Sequence, residues 1–133
     1  MYDLSDVLDV DALRAVQPGT SILVSGPAMT GTAGLVRDVL ASGARQGEGA
    51  VSVTTNDRAA TAIEDIRARA PDADPAAISA IDCRGEGDTG GSETEDGAFL
   101  YHAGDPSDLT GVGIGITQSF ERFEDYGIDR TRL

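Results

Sequence analysis

The residues with the clearest chemical potential lie between Gly26 and Ala33, in the stretch GPAMTGTA. Its two glycines, Gly26 and Gly31, are five positions apart and follow the apolar run Ile22-Leu23-Val24. Glycine lets the backbone turn tightly and present N–H groups to an anion, which the positive end of a helix dipole also favours. The spacing G-x-x-x-x-G between an apolar run and a helix therefore indicates a phosphate-binding loop, or P-loop.

The two positions after the second glycine lack the side chains that give such a loop its chemistry. A lysine there would contact the β- and γ-phosphates, and a serine or threonine hydroxyl would hold Mg²⁺. Thr32 carries no charge, and Ala33 has no oxygen. Hydrogen bonds to charged groups contribute on the order of 1.5–3 kcal/mol each, so MgATP binding should be weaker by roughly 10²–10⁴-fold. The sequence predicts a degenerate P-loop made of Gly26, Pro27, Ala28, Met29, Thr30, Gly31, Thr32 and Ala33.

Strand and helix patterns alternate along the chain. Short apolar runs rich in β-branched residues predict strands, and apolar residues three or four apart predict helices. This alternation is typical of an α/β fold with a mostly parallel sheet and crossover helices. The predicted strands are 21–25, 50–54, 78–82, 98–101 and a strand beginning at 131–133, and the predicted helices are 35–43, 59–70 and 109–126.

Residues 84–97, RGEGDTGGSETEDG, contain no apolar side chain. Such a stretch cannot bury surface, so it predicts a flexible acidic loop. Its fourteen residues are long for a connection. A lid is one interpretation, and a surface insertion is the one we favour. The whole chain, residues 1–133, fits a single domain that includes this loop.

Charge is the strongest compositional signal. There are 23 acidic and 10 basic residues, the net charge is -13, and every basic residue is Arg. The acidic surface, the lack of Lys and the many Ala and Gly resemble proteins of extreme halophiles, with an ordinary acidic protein as the alternative. The charge argues against nucleic-acid binding and against docking on anionic membranes.

Other classes of protein find little support. The chain has one Cys, Cys83, so an intrachain disulfide is impossible. Together with the one His, His102, it cannot supply the ligands of a zinc site, so no metal site is predicted. No apolar run approaches 18 residues, and the acidic N-terminus lacks the features of a signal peptide. We therefore expect a cytoplasmic protein.

Four segments together resemble the KaiC-like branch of the RecA-type P-loop ATPases, and more narrowly the haloarchaeal halobacterial-transducer-like proteins. The resemblance implies a RecA-like fold with the nucleotide at the first loop, and RecA-type domains often form homo-oligomers. The segments are PGTSILVSGPAMTGTAGL at 18–35, VSVTTND at 51–57, AISAIDC at 77–83 and GDPSDLTGVGIGITQSFERFEDYGIDRTRL at 104–133.

The chain also departs from this family. Two consecutive glutamates follow the second strand of active members, and Asn56 and Asp57 stand at those positions. Asn56 cannot accept a proton, whereas Asp57 could be a residual acid or base, although we favour capping of the next helix. The resemblance places the Walker B strand just after Leu133, so we expect a partial, truncated domain.

Four other features have simpler explanations than catalysis. The pattern Gly111-Val112-Gly113-Ile114-Gly115 lacks the spacing and the preceding strand of a dinucleotide fingerprint, so close packing is favoured. We expect Asp82 to cap a helix or shape a loop, Cys83 to be a small buried residue, and His102 to lie in a loop without a partner.

These observations favour a non-catalytic KaiC/RecA-like domain that regulates or transmits signals through protein partners and needs no cofactor. The alternative is a nucleotide-binding protein or weak ATPase using ATP and Mg²⁺, with Arg37 or a partner's residue replacing the missing lysine. A dinucleotide-binding oxidoreductase domain is a weaker third.

Overall fold

A five-stranded, mostly parallel sheet lies at the centre of the protein, with helices on both faces. The computed structural model describes residues 1–133. The strands lie in the order β3-β4-β2-β1-β5, and only β3 is antiparallel to its neighbour. The helices are α1 Thr32–Arg45, α2 Ala59–Arg69 and α3 Leu109–Asp125, and the strands are β1 Gly49–Thr54, β2 Ile78–Asp82, β3 Gly90–Glu93, β4 Phe99–His102 and β5 Thr131–Arg132.

The sheet buries both of its faces because successive residues of its central strands point to opposite faces and both sets include apolar side chains. Ala50 of β1, together with Ile78 and Ala80 of β2, packs beneath α1 and α2. Val51 and Ile81 point to the opposite face, where Phe123 of α3 completes a second core. The first core is rich in alanine, which allows the two helices to lie close to the strands.

Most of the predicted elements are present. The structure confirms the strands at 50–54 and 78–82 and the short strand near 98–101. It also confirms the helices that begin near residues 59 and 109 and the strand that starts at Thr131. The helix after the glycine loop is longer than predicted, since α1 begins at Thr32 and ends at Arg45.

The predicted strand at 21–25 was wrong. These residues have no regular secondary structure and join no sheet, and Leu23 is 89% exposed. A strand requires a neighbour for its backbone groups, and β5 instead occupies the edge beside Gly49 and Ala50.

Within residues 84–97, Gly90–Glu93 form β3 instead of loop. This strand pairs with β4, and side-chain ion pairs join Glu93 to Arg122 and Asp96 to Arg67. The polar composition gave no sign of the strand because an exposed edge strand need not be apolar.

A buried arginine holds the N-terminal segment, α1 and β5 together. Arg132 contacts Glu48 with Nε to Oε2 at 2.6 Å, and both side chains are buried. Its other guanidinium nitrogens donate to the carbonyl oxygens of Val39 and Asp3 and to the hydroxyl of Ser42. No helix combines the length and the apolar character that a membrane crossing requires.

Candidate functional site

The glycine loop lies immediately before α1, as its spacing predicts. Gly31 is the N-cap of the helix and has a left-handed backbone with φ 83°, and Met29 is also left-handed with φ 64°. No side chain caps this end of α1. The first N–H groups of the helix are therefore free to face an anion.

The loop folds against itself, and residues 26–31 are exposed. The Thr30 hydroxyl donates to the carbonyl oxygen of Pro27 at 2.6 Å. A Cβ on Gly26 would lie 3.0 Å from that hydroxyl, whereas one on Gly31 would meet nothing within 4 Å. The Thr30 hydroxyl thus turns inward to the loop's own backbone.

Arg37, the cation nearest in sequence to the loop, is bound to two carboxylates. Its Nη2 lies 2.6 Å from Asp57 and its Nη1 2.7 Å from Asp65, and its side chain is only 13% exposed. Burial acts to lower the pKa of Arg37, but the two carboxylates outweigh it and raise that pKa. The hydrogen bond from Arg37 also holds the pKa of Asp65 below its usual value.

Asp57, the candidate acid or base, lies in this cluster, and it does not cap α2 as we expected. The N-cap residue is Arg58, and it has no side-chain cap. The N–H of Asp57 instead donates to the Thr54 hydroxyl, at the carboxyl end of β1. The prediction failed because the carboxylate turns toward Arg37 of α1.

Asp82 stabilises the start of α2 from the end of the neighbouring strand. Its buried carboxylate accepts the Ala59 N–H at 3.2 Å and contacts the guanidinium of Arg84. Burial acts to raise the pKa of Asp82, but the hydrogen bonds from Arg84 and Ala59 bring it below the usual value. The capping role expected for Asp82 is confirmed.

His102 is not a loop residue, contrary to our prediction. It ends β4, in register with Asp82 of β2, and its Nδ1 lies 3.9 Å from the Asp82 Oδ2. That nitrogen is buried and has no hydrogen-bond partner. This pair was not predicted, although Asp82 ends one predicted strand and His102 directly follows another, and the carboxyl ends of parallel strands share one edge of a sheet.

Cys83 and the glycines of α3 have structural roles. Cys83 is buried in the second core, and burial with the adjacent Asp82 carboxylate raises the pKa of its thiol. A Cβ on Gly115 would lie 2.9 Å from Ile81 and Tyr101. The close packing predicted for this glycine pattern is thus confirmed at Gly115, and the glycines lie within α3.

The fold and the loop define an α/β protein with an uncapped helix behind a glycine-bounded turn. The chain belongs to a family described as a family of unknown function (DUF7504), whose model matches residues 19–133. No curated protein and no solved structure matches it.

Proposed function

We propose that this protein is a KaiC/RecA-like domain that has lost nucleotide hydrolysis and acts in regulation or signalling through protein contacts. The proposal depends on the contacts of Arg37, whose guanidinium binds Asp57 and Asp65. The same contact occupies Asp57, the only carboxylate in the pair that follows β1. One ion pair thus engages both the nearest replacement cation and the residual base.

The residues of the loop do not fit a magnesium triphosphate. Thr32 and Ala33 offer no cation and no serine or threonine hydroxyl at the position that would bind Mg²⁺. The Thr30 hydroxyl is bonded to Pro27. Moving Arg37 to the loop would leave Asp57 without its cation and Asp65 with Arg69 alone.

A second candidate function is weak binding of a polyphosphate without hydrolysis. The uncapped N-terminus of α1 favours it, because its N–H groups have no side-chain acceptor. The net charge of -13 opposes it, since an acidic surface repels a polyphosphate at low ionic strength. Regulation through protein contacts remains the function that we propose.

Titration with a fluorescent ATP analogue in molar KCl, with and without Mg²⁺, tests the proposal. We expect no saturable binding at micromolar analogue and no effect of Mg²⁺. Micromolar, Mg²⁺-dependent binding would overturn the proposal. Binding with a millimolar dissociation constant that does not depend on Mg²⁺ would establish the second candidate, weak polyphosphate binding.

Restoring the missing groups tests the shape of the loop itself. The pair Thr32→Lys and Ala33→Thr should tighten binding of the analogue by at least tenfold and make it depend on Mg²⁺, because it adds the absent charge and hydroxyl. Thr110→Lys is the matched control, since Thr110 lies in the first turn of α3. Equal binding by the two variants would show that the loop is not arranged for phosphate.

A further inference from the structure

The longest uncharged part of the chain is also its most exposed apolar part. No charged residue occurs between Arg14 and Arg37, although a quarter of the chain is charged. Ile22, Leu23 and Met29 are exposed within this stretch. No backbone group of residues 21–26 takes part in a hydrogen bond. This segment therefore has both apolar side chains and backbone groups available for pairing.

The same segment forms one wall of an apolar groove. The groove has a volume of about 570 Å³ and lies between Thr131–Leu133 and a wall made of residues 19–22 and Val24. Leu23 lies in this segment but does not line the groove. Leu8, Val36 and Leu40 contribute to its surface. None of the 23 acidic residues of the chain lines it. Two strongly acidic molecules would meet with the least repulsion at such a surface.

The solvent-accessible area of the protein exceeds that of a compact monomer by about the area that one partner buries in a standard interface. The protein exposes 7526 Å². A compact monomer of 13.7 kDa should expose about 6,600 Å². The surplus of about 900 Å² is close to the ~800 Å² that each partner buries in a standard interface.

We propose that a second copy of this chain covers the groove and that the protein is a two-fold symmetric dimer in concentrated salt. Ser21–Ser25 of one copy pairs antiparallel with the same residues of the other, and Leu23, at the centre of the segment, lies near the two-fold axis. A second copy fits because its own segment is uncharged and has unpaired backbone groups. The proposal is independent of nucleotide binding.

The molar mass in molar KCl, measured by light scattering after size exclusion, tests the proposal. We expect twice the 13.7 kDa chain mass for the natural protein and the monomer mass for Leu23→Asp. Leu109→Asp is the matched control, because Leu109, like Leu23, is well exposed, at 79%, but it lies on α3, outside the segment that is proposed to pair. It should remain a dimer.

A natural protein that is monomeric at hundreds of micromolar would overturn the proposal, and the groove would then belong to another partner. A dimer that withstands Leu23→Asp would overturn it as well, because another face would hold the copies together. Circular dichroism of Leu23→Asp should match the natural protein, since the side chain is 89% exposed and contributes little to the core.

Disulfide cross-linking tests whether Leu23 lies near the two-fold axis of the dimer. Leu23→Cys should form an intermolecular disulfide within minutes of mild oxidation in molar KCl, because two thiols near the axis come within bonding range. Leu109→Cys should cross-link at least tenfold more slowly. The native Cys83 is buried, so it does not compete. Equal rates for the two variants would contradict the antiparallel pairing.

Discussion

At the scale of the residue, the role of each polar side chain depends on the partner that the fold brings to it. Asp57 follows β1 and Asp82 ends β2, so both lie near the carboxyl ends of neighbouring parallel strands. The first binds Arg37 of α1, whereas the second accepts the N–H of Ala59 and so caps α2. The sequence predicted which residues are polar at this edge of the sheet. It could not predict their pairing, since Arg37 and Asp57 are distant in sequence and belong to different elements.

Removing the Asp82 carboxylate should weaken the fold. Asp82→Ala leaves the buried Ala59 N–H without an acceptor and Arg84 without its buried partner, at an expected cost of about 1–3 kcal/mol. Urea unfolding in molar KCl measures this cost. The exposed Asp88→Ala is the control, because Asp88 forms no ion pair and its loss should change stability little.

The effect of Asp82→Ala should depend on pH. The pKa of Asp82 is lower in the folded protein than its ordinary value of 3.8. Its contribution is therefore fully present above the unfolded-state pKa and is lost as the pH falls through the folded-state pKa. The difference between Asp82→Ala and the natural protein should be constant near pH 7 and shrink below about pH 4. A difference that grows on acidification would contradict the hydrogen bonding described for Asp82.

At the scale of the element, the apolar pattern of a segment predicted a strand correctly where another strand pairs with that segment. It failed where no strand pairs with it. β1 and β2 lie side by side over five residues each, and both were predicted. Residues 21–25 have the same apolar character, but nothing pairs with them. β3 was missed for the opposite reason, since Gly90–Glu93 are polar and gain strand structure only by pairing with β4. Pairing between strands is a long-range property that a single segment does not encode.

Two glycines of α3 should respond in opposite directions to the same substitution. Gly113 faces open space, so Gly113→Ala should stabilise the protein by about 0.5–1 kcal/mol through higher helix propensity. Gly115→Ala would place a Cβ 2.9 Å from Ile81 and Tyr101, and overpacking should cost about 1–3 kcal/mol. Urea midpoints of the two variants measure the difference. Equal shifts would show that α3 does not pack on the sheet through Gly115.

The short strand β5 should depend on one buried ion pair. Arg132→Met leaves the Glu48 carboxylate buried without a cation, at an expected cost of about 3–5 kcal/mol. Adding Glu48→Gln should recover part of this loss, because the uncompensated charge is removed. A double-mutant cycle by urea unfolding measures the coupling. Additive effects of the two substitutions would show that the pair is not coupled in solution.

At the scale of the whole molecule, charge is distributed very unevenly. Ion pairs occupy most of the arginines and only part of the 23 acidic residues. The remaining carboxylates lie on the surface, and Glu124 and Asp125 lie at the C-terminal end of α3, where the helix dipole also disfavours negative charge. The stretch 15–36 carries none of this charge. The composition predicted the repulsion, and the fold places the uncharged stretch along the exposed groove.

The stability of the protein should therefore fall as salt is removed. The screening length rises from about 3 Å at 1 M salt to about 10 Å at 0.1 M, so surface carboxylates repel one another over longer distances in dilute buffer. We expect the urea midpoint to decrease steadily from molar KCl to 0.1 M KCl. The pair Glu124→Gln and Asp125→Asn should raise the midpoint most at 0.1 M, because it removes repulsion and relieves the end of α3. Asp96→Asn is the control variant. It also removes one negative charge, but that charge is paired with Arg67, so the ion pair is lost with it. A urea midpoint that does not change with salt concentration would contradict the role assigned to surface repulsion. So would a larger gain from the Glu124→Gln and Asp125→Asn pair in molar KCl than at 0.1 M.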